Sequence, residues 1–283
     1  MPIVFRLLRV AIHLLGLVSP PLAGSWVYRL WFRPLRFPEP PQEQEWRRTA
    51  ETLAVMHRGQ ALAVDAWGTG PTVLMVHGWN GRGAQLGAFV PALVRAGYRV
   101  VSFDTPAHGR SPGRATNLPE ISEAVRTVAE HCGPLHAIIG HSFGVACSIY
   151  AVRQGLKVQR FVALSPPSDM RWLVQSFIAT LDIRAPVQAV FIRKFEADFG
   201  ADLWQRFSPE QLVRQFAVPG LVIHDEDDRD VPWQQGDALA NAWPGAQFVR
   251  TAGLGHRRIL RDPDVLARVT AFITHKQQGT DHG

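Results

Sequence analysis

The stretch HAIIGHSFGVACSIYAVRQ, residues 136–154, places one serine between two different periodicities. The apolar run before Ser142 is typical of a buried strand, and the run after it predicts a helix over 143–154. Gly-X-Ser-X-Gly between a strand and a helix forms a sharp turn, which holds the serine hydroxyl above the strand end. The small residues Gly140 and Gly144 allow the backbone to turn tightly, and the helix N-terminus lies under any developing negative charge. The stretch therefore predicts a nucleophilic serine at the edge of a parallel sheet.

Around this turn, short β-branched runs alternate with helical stretches. The alternation predicts an α/β fold, a mostly parallel, doubly wound sheet with helices on both faces. Two earlier runs, 53–57 and 61–65, predict an antiparallel hairpin. The remaining predicted strands are Thr72–Val76, Tyr98–Phe103, His136–Gly140, Arg160–Leu164, Gly220–His224 and Gln247–Arg250. The predicted helices are Gln85–Ala96, Pro119–His131, Phe143–Gln154, Trp233–Ala242 and Pro263–His275.

The alternation stops from about residue 168 to 217, where only helical periodicity is present. Helices inserted between two strands of a parallel sheet predict a cap over its C-terminal edge, where α/β proteins place their sites. The apolar side chains of this cap either line an apolar pocket or form the cap's own small core. The candidates for the pocket are Trp172, Leu173, Phe177, Phe191 and Phe195.

Composition and charge exclude several classes of protein. The chain has 283 residues, of which 46% are apolar and 19% charged, so disorder, collagen and coiled coil are excluded. Its two cysteines, Cys132 and Cys147, exclude a disulfide scaffold and a multi-cysteine metal site. Five arginines ahead of Glu39 account for all but one of the six net positive charges. The main domain is then close to neutral, and no nucleic-acid partner is expected.

The sequence predicts a separate leader at residues 1–45, a main domain at 46–276 and a tail at 277–283. A Ser-Pro-Pro break predicts two short basic amphipathic helices, and the Pro-rich stretch 37–45 predicts a linker. The basic positions that share a helix face are Arg6, Arg9 and His13, then Arg29, Arg33 and Arg36. Three interpretations of the leader are open. It packs on the main domain, it contacts a membrane surface through residues 1–37, or it is an anchor or signal peptide. The expected location is cytoplasmic, with membrane association as the alternative.

Gly-X-Ser-X-Gly occurs a second time, at residues 109–113. This copy follows a polar turn and runs into a loop, so it lacks the strand and helix that a nucleophile requires. Ser111 is therefore predicted to be structural, and Ser142 is the candidate nucleophile.

A serine hydroxyl needs a base that is itself oriented by a carboxylate. His256 follows the last predicted strand in a glycine-rich loop and is the candidate base, whereas His141 is predicted to point away from Ser142 and is a candidate only for the pocket wall. The acid is expected after the strand 220–224, in the run HDEDDRDVP. Spacing leaves five carboxylates open there: Asp225, Glu226, Asp227, Asp228 and Asp230. A calcium loop of the EF-hand kind is excluded, because Asp230 and Gly236 replace its glycine and glutamate.

Together these motifs resemble the α/β-hydrolase superfamily of serine hydrolases over about residues 50–276. His77-Gly78-Trp79-Asn80 looks like its oxyanion loop, and 104–111 is similar to its Asp-x-Pro-Gly-His-Gly-x-Ser turn, with Ala107 in place of a glycine. The resemblance implies that Asp228, four residues before Pro232, is the acid, with Asp227 second. It also implies that the backbone N–H groups of Trp79 and Phe143 form the oxyanion hole.

The resemblance implies a cap-bearing serine hydrolase, esterase- or lipase-like, acting on a small-molecule carboxylic ester or thioester. The expected triad is Ser142, Asp228 and His256, with His141, Trp172, Phe177 and Phe191 as pocket candidates. Nothing in the sequence indicates a metal or an organic cofactor, and the oligomeric state is left open. The alternatives are an acyltransferase or C–C hydrolase with the same triad, and a membrane-associated, non-catalytic binding protein.

Overall fold

One eight-stranded sheet organises the computed structural model, which describes residues 3–275. The strand order is β1-β2-β4-β3-β5-β6-β7-β8. β1 pairs antiparallel with β2, β2 pairs antiparallel with β4, and every other pair is parallel. The strands are β1 Glu51–His57, β2 Gln60–Trp67, β3 Thr72–Val76, β4 Arg99–Phe103, β5 Leu135–His141, β6 Val158–Leu164, β7 Gly220–Asp225 and β8 Gln247–Thr251. The predicted α/β fold is confirmed.

Helices cover both faces of the sheet. They are α1 Ile3–Val18, α2 Pro20–Trp31, α3 Pro41–Arg48, α4 Val90–Arg95, α5 Leu118–Cys132, α6 Phe143–Arg153, α7 Met170–Leu181, α8 Ala185–Phe199, α9 Leu203–Arg206, α10 Pro209–Val213, α11 Trp233–Ala242, α12 Gly255–Arg258 and α13 Pro263–Thr274. Side chains of β3 alternate between the two cores: Leu74 and Val76 face the core that contains α5 and α6, and Val73 and Met75 face the one that contains α4 and α13. The unbroken apolar run of β3 is the pattern expected of a strand buried on both faces.

Two predicted segments differ from the structure. The helix predicted over 85–96 is split into a 3₁₀ turn, Gly83–Phe89, and α4, because Pro91 lacks the N–H that a continuous helix needs. The linker predicted at 37–45 is wrong in its second half, where α3 begins at Pro41, a residue suited to the first helical turn. The carbonyl of Trp46 accepts a hydrogen bond from Trp67 Nε1 at 3.1 Å, and Glu43 pairs with Arg82. These tertiary contacts favour the helix over an extended linker.

The leader packs on the cap helices. α2 lies against α8 so closely that a Cβ on Gly24 would lie 2.5 Å from Val190. Arg9 Nε on α1 donates to the carbonyl of Thr180 on α7 at 2.9 Å, and Tyr28 donates to Asp198. No helix within residues 3–275 has both the length and the apolar character needed to cross a bilayer.

After α2 the chain continues as an extended strap, residues 32–39, across the edge of the sheet. The carbonyl of Phe32 accepts from the Thr116 N–H at 2.9 Å, and the Leu35 N–H donates to Asn80 Oδ1 at 2.6 Å. Arg36 Nη2 donates to the carbonyl of Ser111 at 2.7 Å. The strap therefore connects the leader to the loop that follows β3, next to Ser142.

Candidate active site

Ser142 lies at a strained turn between β5 and α6. Its φ of 52° and ψ of −127° are unusual for a residue with a side chain, and such outliers persist where the surrounding structure enforces them. The Ser142 N–H donates to the carbonyl of Leu164 at 2.9 Å, which ties the turn to β6. A Cβ on Gly140 would lie 3.0 Å from Val145 Cα, and one on Gly144 would overlap the carbonyl oxygen of His77. The glycines on either side of Ser142 are therefore required by close packing.

The loop after β3 lies directly against this turn. A Cβ on Gly78 would lie 2.8 Å from Ser142 Cβ, so only glycine allows the loop backbone to approach the serine. The rings of Trp79 and Phe143 are in edge contact, with centroids 5.5 Å apart, and both residues line a cavity with Ser142. Among the described residues, neither of their backbone N–H groups donates to a protein acceptor. Two free donors beside a serine are the arrangement that can hold an oxyanion.

His77 fixes the start of this loop. Its ring accepts the Thr105 N–H at 3.0 Å through Nε2, so Nδ1 carries the proton and donates to the carbonyl of Gly78 at 2.7 Å. Burial lowers the pKa of His77 to about 4, which leaves the ring neutral at pH 7. His77 thus holds the loop and does not act as a charged group.

His256 and Asp228 are joined directly. His256 Nδ1 lies 2.7 Å from Asp228 Oδ2, and the carboxylate can only accept, so Nδ1 carries the proton. Nε2 is then the nitrogen that is free to accept a proton. Ser142 and His256 line one cavity, and Ser142 Oγ makes no hydrogen bond to protein in the part of the chain described. Catalytic contacts of this kind are often long before substrate binds.

The Asp228 side chain is fully buried and accepts four hydrogen bonds. Oδ1 accepts the N–H groups of Asp230 and Val231, both at 2.9 Å, and Oδ2 faces His224 Nε2 at 3.3 Å as well as His256. Burial acts to raise its pKa, but the hydrogen bonds from His224 and His256 outweigh burial and hold the pKa of Asp228 well below its usual range. The carboxylate is therefore ionised at neutral pH and orients His256.

His224 is a residue whose part in the site sequence reasoning missed. It is fully buried on β7, and its Nε2 also lies 2.9 Å from the carbonyl of Val231. Both neighbours of Nε2 are acceptors, so this nitrogen carries a proton that the nearer Val231 carbonyl and the Asp228 carboxylate share. The signal available in the sequence was its place at the end of a strand, just before the acidic run.

The other carboxylates of the acidic run hold the loops in place. Asp225 accepts the Gly255 N–H at 2.8 Å and the Thr251 hydroxyl at 2.8 Å, and so joins β7 to the His256 loop. Asp227 accepts the Gly253 N–H at 2.8 Å, and Asp230 lies 3.5 Å from Arg257. Of the five carboxylates in the acidic run, Asp228 alone contacts His256 in the described structure.

His141 packs against His256, because α12 lies against the end of β5. Its ring lies 4.7 Å from the His256 ring, centroid to centroid, and its Nε2 is 2.9 Å from the His256 carbonyl. Burial, together with the neighbouring His256, lowers the pKa of His141 well below its usual value. A neutral His141 therefore packs against His256 and adds no charge there. It also lines a cavity together with Ser142 and His256.

Two cavities meet at Ser142. The first, about 420 Å³, is mostly apolar and lies between leader and cap. Of the pocket candidates it is lined by Trp172, Leu173, Phe177 and Phe195. The prediction for Phe191 is wrong, because this ring is fully buried against Tyr28 and Trp31 of the leader. The leader's own contribution to the lining was missed: Leu8, Leu30, Trp31, Phe32, Arg33 and Leu35.

The second cavity, about 880 Å³, is more polar and is lined by Phe37 of the strap, His256 and Arg261. Among the described residues, no group of three or more His, Cys, Asp or Glu side chains is placed to hold a metal ion.

Several known proteins are similar to this chain in sequence. The model of the Alpha/beta hydrolase family matches residues 73–269. A pimeloyl-[acyl-carrier protein] methyl ester esterase of Xanthomonas axonopodis pv. citri is 28% identical over 242 residues, 71% of this chain and 94% of the esterase. The lysophosphatidylserine lipase ABHD12 of Danio rerio is 26% identical over 226 residues, 72% of this chain. The chain spans 58% of that lipase and 55% of human ABHD12B, a little over half of each.

Solved structures share the fold. An esterase from Exiguobacterium antarcticum superposes with a TM-score of 0.62, covering 79% of this chain and 99% of the esterase. At 15% identity this likeness concerns the fold alone.

Proposed function

Because the chain belongs to the alpha/beta hydrolase family, we propose that it is a serine hydrolase that cleaves a carboxylic ester or thioester through an acyl-enzyme on Ser142. The observation that carries the proposal is the 2.7 Å contact between His256 Nδ1 and a buried, ionised Asp228, at a cavity that also contains the strained Ser142. A carboxylate, a histidine and a serine in this arrangement generate a nucleophile at neutral pH. Relatives named as esterases support the same class of reaction.

The reaction proceeds in two halves. His256 Nε2 takes the proton of Ser142 Oγ as the oxygen attacks the carbonyl carbon, and the backbone N–H groups of Trp79 and Phe143 bind the oxyanion. One such donor contributes about 3–4 kcal/mol in a comparable enzyme. His256 then gives its proton to the leaving alcohol or thiol. Water attacks the acyl-enzyme by the same route, His256 taking its proton and returning it to Ser142.

The apolar cavity favours a medium-length acyl chain. Its lining by Trp31, Phe177 and Leu173 offers apolar surface beside Ser142 and few polar groups. Steady-state rates on nitrophenyl esters of increasing acyl length test this, with Leu173→Ala expected to move the optimum to longer chains. The matched control is Leu266→Ala, a half-buried leucine of α13 that lines neither cavity. A sharp preference for acetate would contradict the proposal.

A fluorophosphonate probe tests the nucleophile itself. We expect the wild type and Ser111→Ala to be labelled and Ser142→Ala to be unlabelled, since the probe reports an activated serine. A folded wild type that is not labelled would contradict the hydrolase and favour a binding protein. Product analysis with added alcohol separates hydrolysis from acyl transfer.

A further inference from the structure

One face of the leader has no partner in the described structure. It consists of apolar side chains that are between 56% and 85% exposed: Leu7, Val10, Leu14, Leu17, Val18 and Leu22. Five of them recur on one side of α1 with helical spacing. We call this set the leader face.

α1 is apolar on two opposite sides. On the inner side Ile12 is 2% exposed, and Leu8 and Leu15 pack against the same core. A helix of a soluble domain normally turns a polar side outward. Arg9 and His13 instead occupy a flank of α1, between the inner side and the leader face. The outer side of α1 is thus built to contact something apolar.

The leader face is exceptional within this molecule. Nine large apolar side chains are exposed in the described part of the chain, and eight of them lie between Leu7 and Phe37. The ninth, Met56, lies on the edge strand β1. Scattered exposed apolar side chains are ordinary, whereas a contiguous group marks an interaction surface.

Ahead of Glu39, the leader itself carries side-chain charge of one sign only. Residues 1–38 contain five arginines and no acidic residue. Arg9 and Arg36 donate to main-chain carbonyls, and Arg6, Arg29 and Arg33 are exposed. Apolar side chains flanked by arginine match the boundary between anionic lipid headgroups and acyl chains. In a symmetric dimer through the same face, arginines would oppose arginines, which disfavours a second copy as the occupant.

We propose that the leader face binds the surface of an anionic lipid bilayer. The same two helices line the apolar cavity from their inner side, through Leu8, Leu30 and Trp31. If the proposed hydrolase function holds, an ester with a lipid-like acyl chain would therefore reach Ser142 from the side of the molecule that faces the bilayer. The membrane contact itself does not depend on that function.

Vesicle flotation of the full chain tests the proposal. Vesicles of phosphatidylcholine alone are compared with vesicles that also contain phosphatidylglycerol. We expect the wild type to float with the anionic vesicles and the double variant Leu14→Asp/Leu17→Asp to lose about tenfold or more of its bound fraction, since two apolar side chains no longer insert. Met56→Asp is the matched control, because Met56 and Leu14 are equally exposed, at 58%. This control is expected to float like the wild type.

Several outcomes would overturn the proposal. One is a wild type that floats with neither kind of vesicle, and another is a double variant that floats as well as the wild type. Equal flotation with both kinds of vesicle would reject the anionic surface, and dimers that the double variant abolishes, without flotation, would assign the face to a second copy. Activity on a short soluble ester without vesicles is expected to be the same in the wild type and the double variant. An inactive wild type that still floats would reject the proposed function and leave the membrane surface standing.

Discussion

Two serines in identical Gly-X-Ser-X-Gly motifs have opposite surroundings in this molecule. Ser111 is 1% exposed, and its hydroxyl donates to the carbonyl of Asp104 and accepts the Ala63 N–H at 3.0 Å. Ser142 has a positive φ, lines both cavities and keeps its hydroxyl free of protein hydrogen bonds within the described residues. The Ser111 hydroxyl is therefore hydrogen-bonded within the fold, whereas the Ser142 hydroxyl is available to another molecule. The free hydroxyl is found where a strand precedes the motif and a helix follows it, so the motif alone does not distinguish a candidate nucleophile.

The histidines near the two serines differ in the same way. His108 Nδ1 lies 3.0 Å from both the carbonyl of Pro106 and Thr105 Oγ1, so this nitrogen is hydrogen-bonded within its own turn, and burial lowers the pKa of His108 to about 3. His256 donates to a carboxylate, Asp228, and its side chain is 11% exposed at the cavity. A carboxylate partner stabilises the protonated ring that proton transfer creates, and a carbonyl in a buried turn does so far less.

The largest expected effect comes from exchanging each serine for alanine. We expect Ser142→Ala to lower kcat by at least about 10⁴-fold, because the nucleophile is removed, whereas Ser111→Ala keeps kcat within a few-fold. Steady-state turnover of the best nitrophenyl ester measures both. Comparable losses in the two variants would contradict the different functions assigned to the serines.

A second test concerns the acid beside His256. Asp228→Asn is expected to lower kcat by about 10³–10⁴-fold, because an amide no longer favours the His256 tautomer that accepts the serine proton. Asp227→Asn is the matched control: it keeps an oxygen for the Gly253 N–H and is expected to lose less than about tenfold. Pre-steady-state acylation rates separate the two. A larger loss in Asp227→Asn would move the acid to Asp227.

The two serine variants are expected to rank in the opposite order for stability, with Ser111→Ala losing more unfolding free energy than Ser142→Ala. Ser111→Ala leaves the Ala63 N–H and the Asp104 carbonyl without their buried partner, which costs about 2 kcal/mol of unfolding free energy. Ser142→Ala removes a hydroxyl without a protein partner and is expected to change the unfolding free energy by less than about 0.5 kcal/mol. Urea unfolding at pH 7 measures both values. A more stable Ser111→Ala would show that its hydrogen bonds do not hold the turn.

A further test concerns the dependence of stability on pH in the Ser111 turn. The pKa of His108 falls from 6.5 to about 3 on folding because of burial, so below pH 6.5 the unfolded chain takes up a proton that the folded chain refuses. The stability from neutral His108 is complete above pH 6.5 and is lost toward pH 3, at up to about 1.4 kcal/mol per pH unit. His108→Gln is expected to flatten this slope in urea unfolding from pH 7 to 4. His131→Gln, at an exposed position on α5, is the control, and an unchanged slope in His108→Gln would contradict the assignment.

Local patterns were sufficient for much of the fold. All eight strands were predicted to within two residues of their ends, because alternation and buried apolar runs are properties of neighbouring residues. The sharp turn at Ser142 was predicted for the same reason: a strand, a small-residue turn and a helix are contiguous in the chain. The helix Trp233–Ala242 was predicted with its correct bounds.

Long-range contacts decided what the patterns could not. α3 forms where a linker was predicted, because Trp46 and Glu43 find partners on distant elements. Phe191 faces the leader and not the cavity, because α8 packs on α2. Among five acidic side chains of one run, contact with His256 distinguishes Asp228, and that contact depends on how β7 and β8 pair.

The sequence by itself determined the fold class, the candidate nucleophile and the candidate base, since each depends on residues that are close together in the chain. Spacing left the acid open among five carboxylates and the family resemblance implied Asp228, which the structure places against His256. The tertiary structure alone decided that His224 and His141 surround that pair, and that the leader lines the cavity beside Ser142. These arrangements join residues that are far apart in the chain. Their distances are set by how the sheet, the cap and the leader pack together, and no local periodicity encodes that packing.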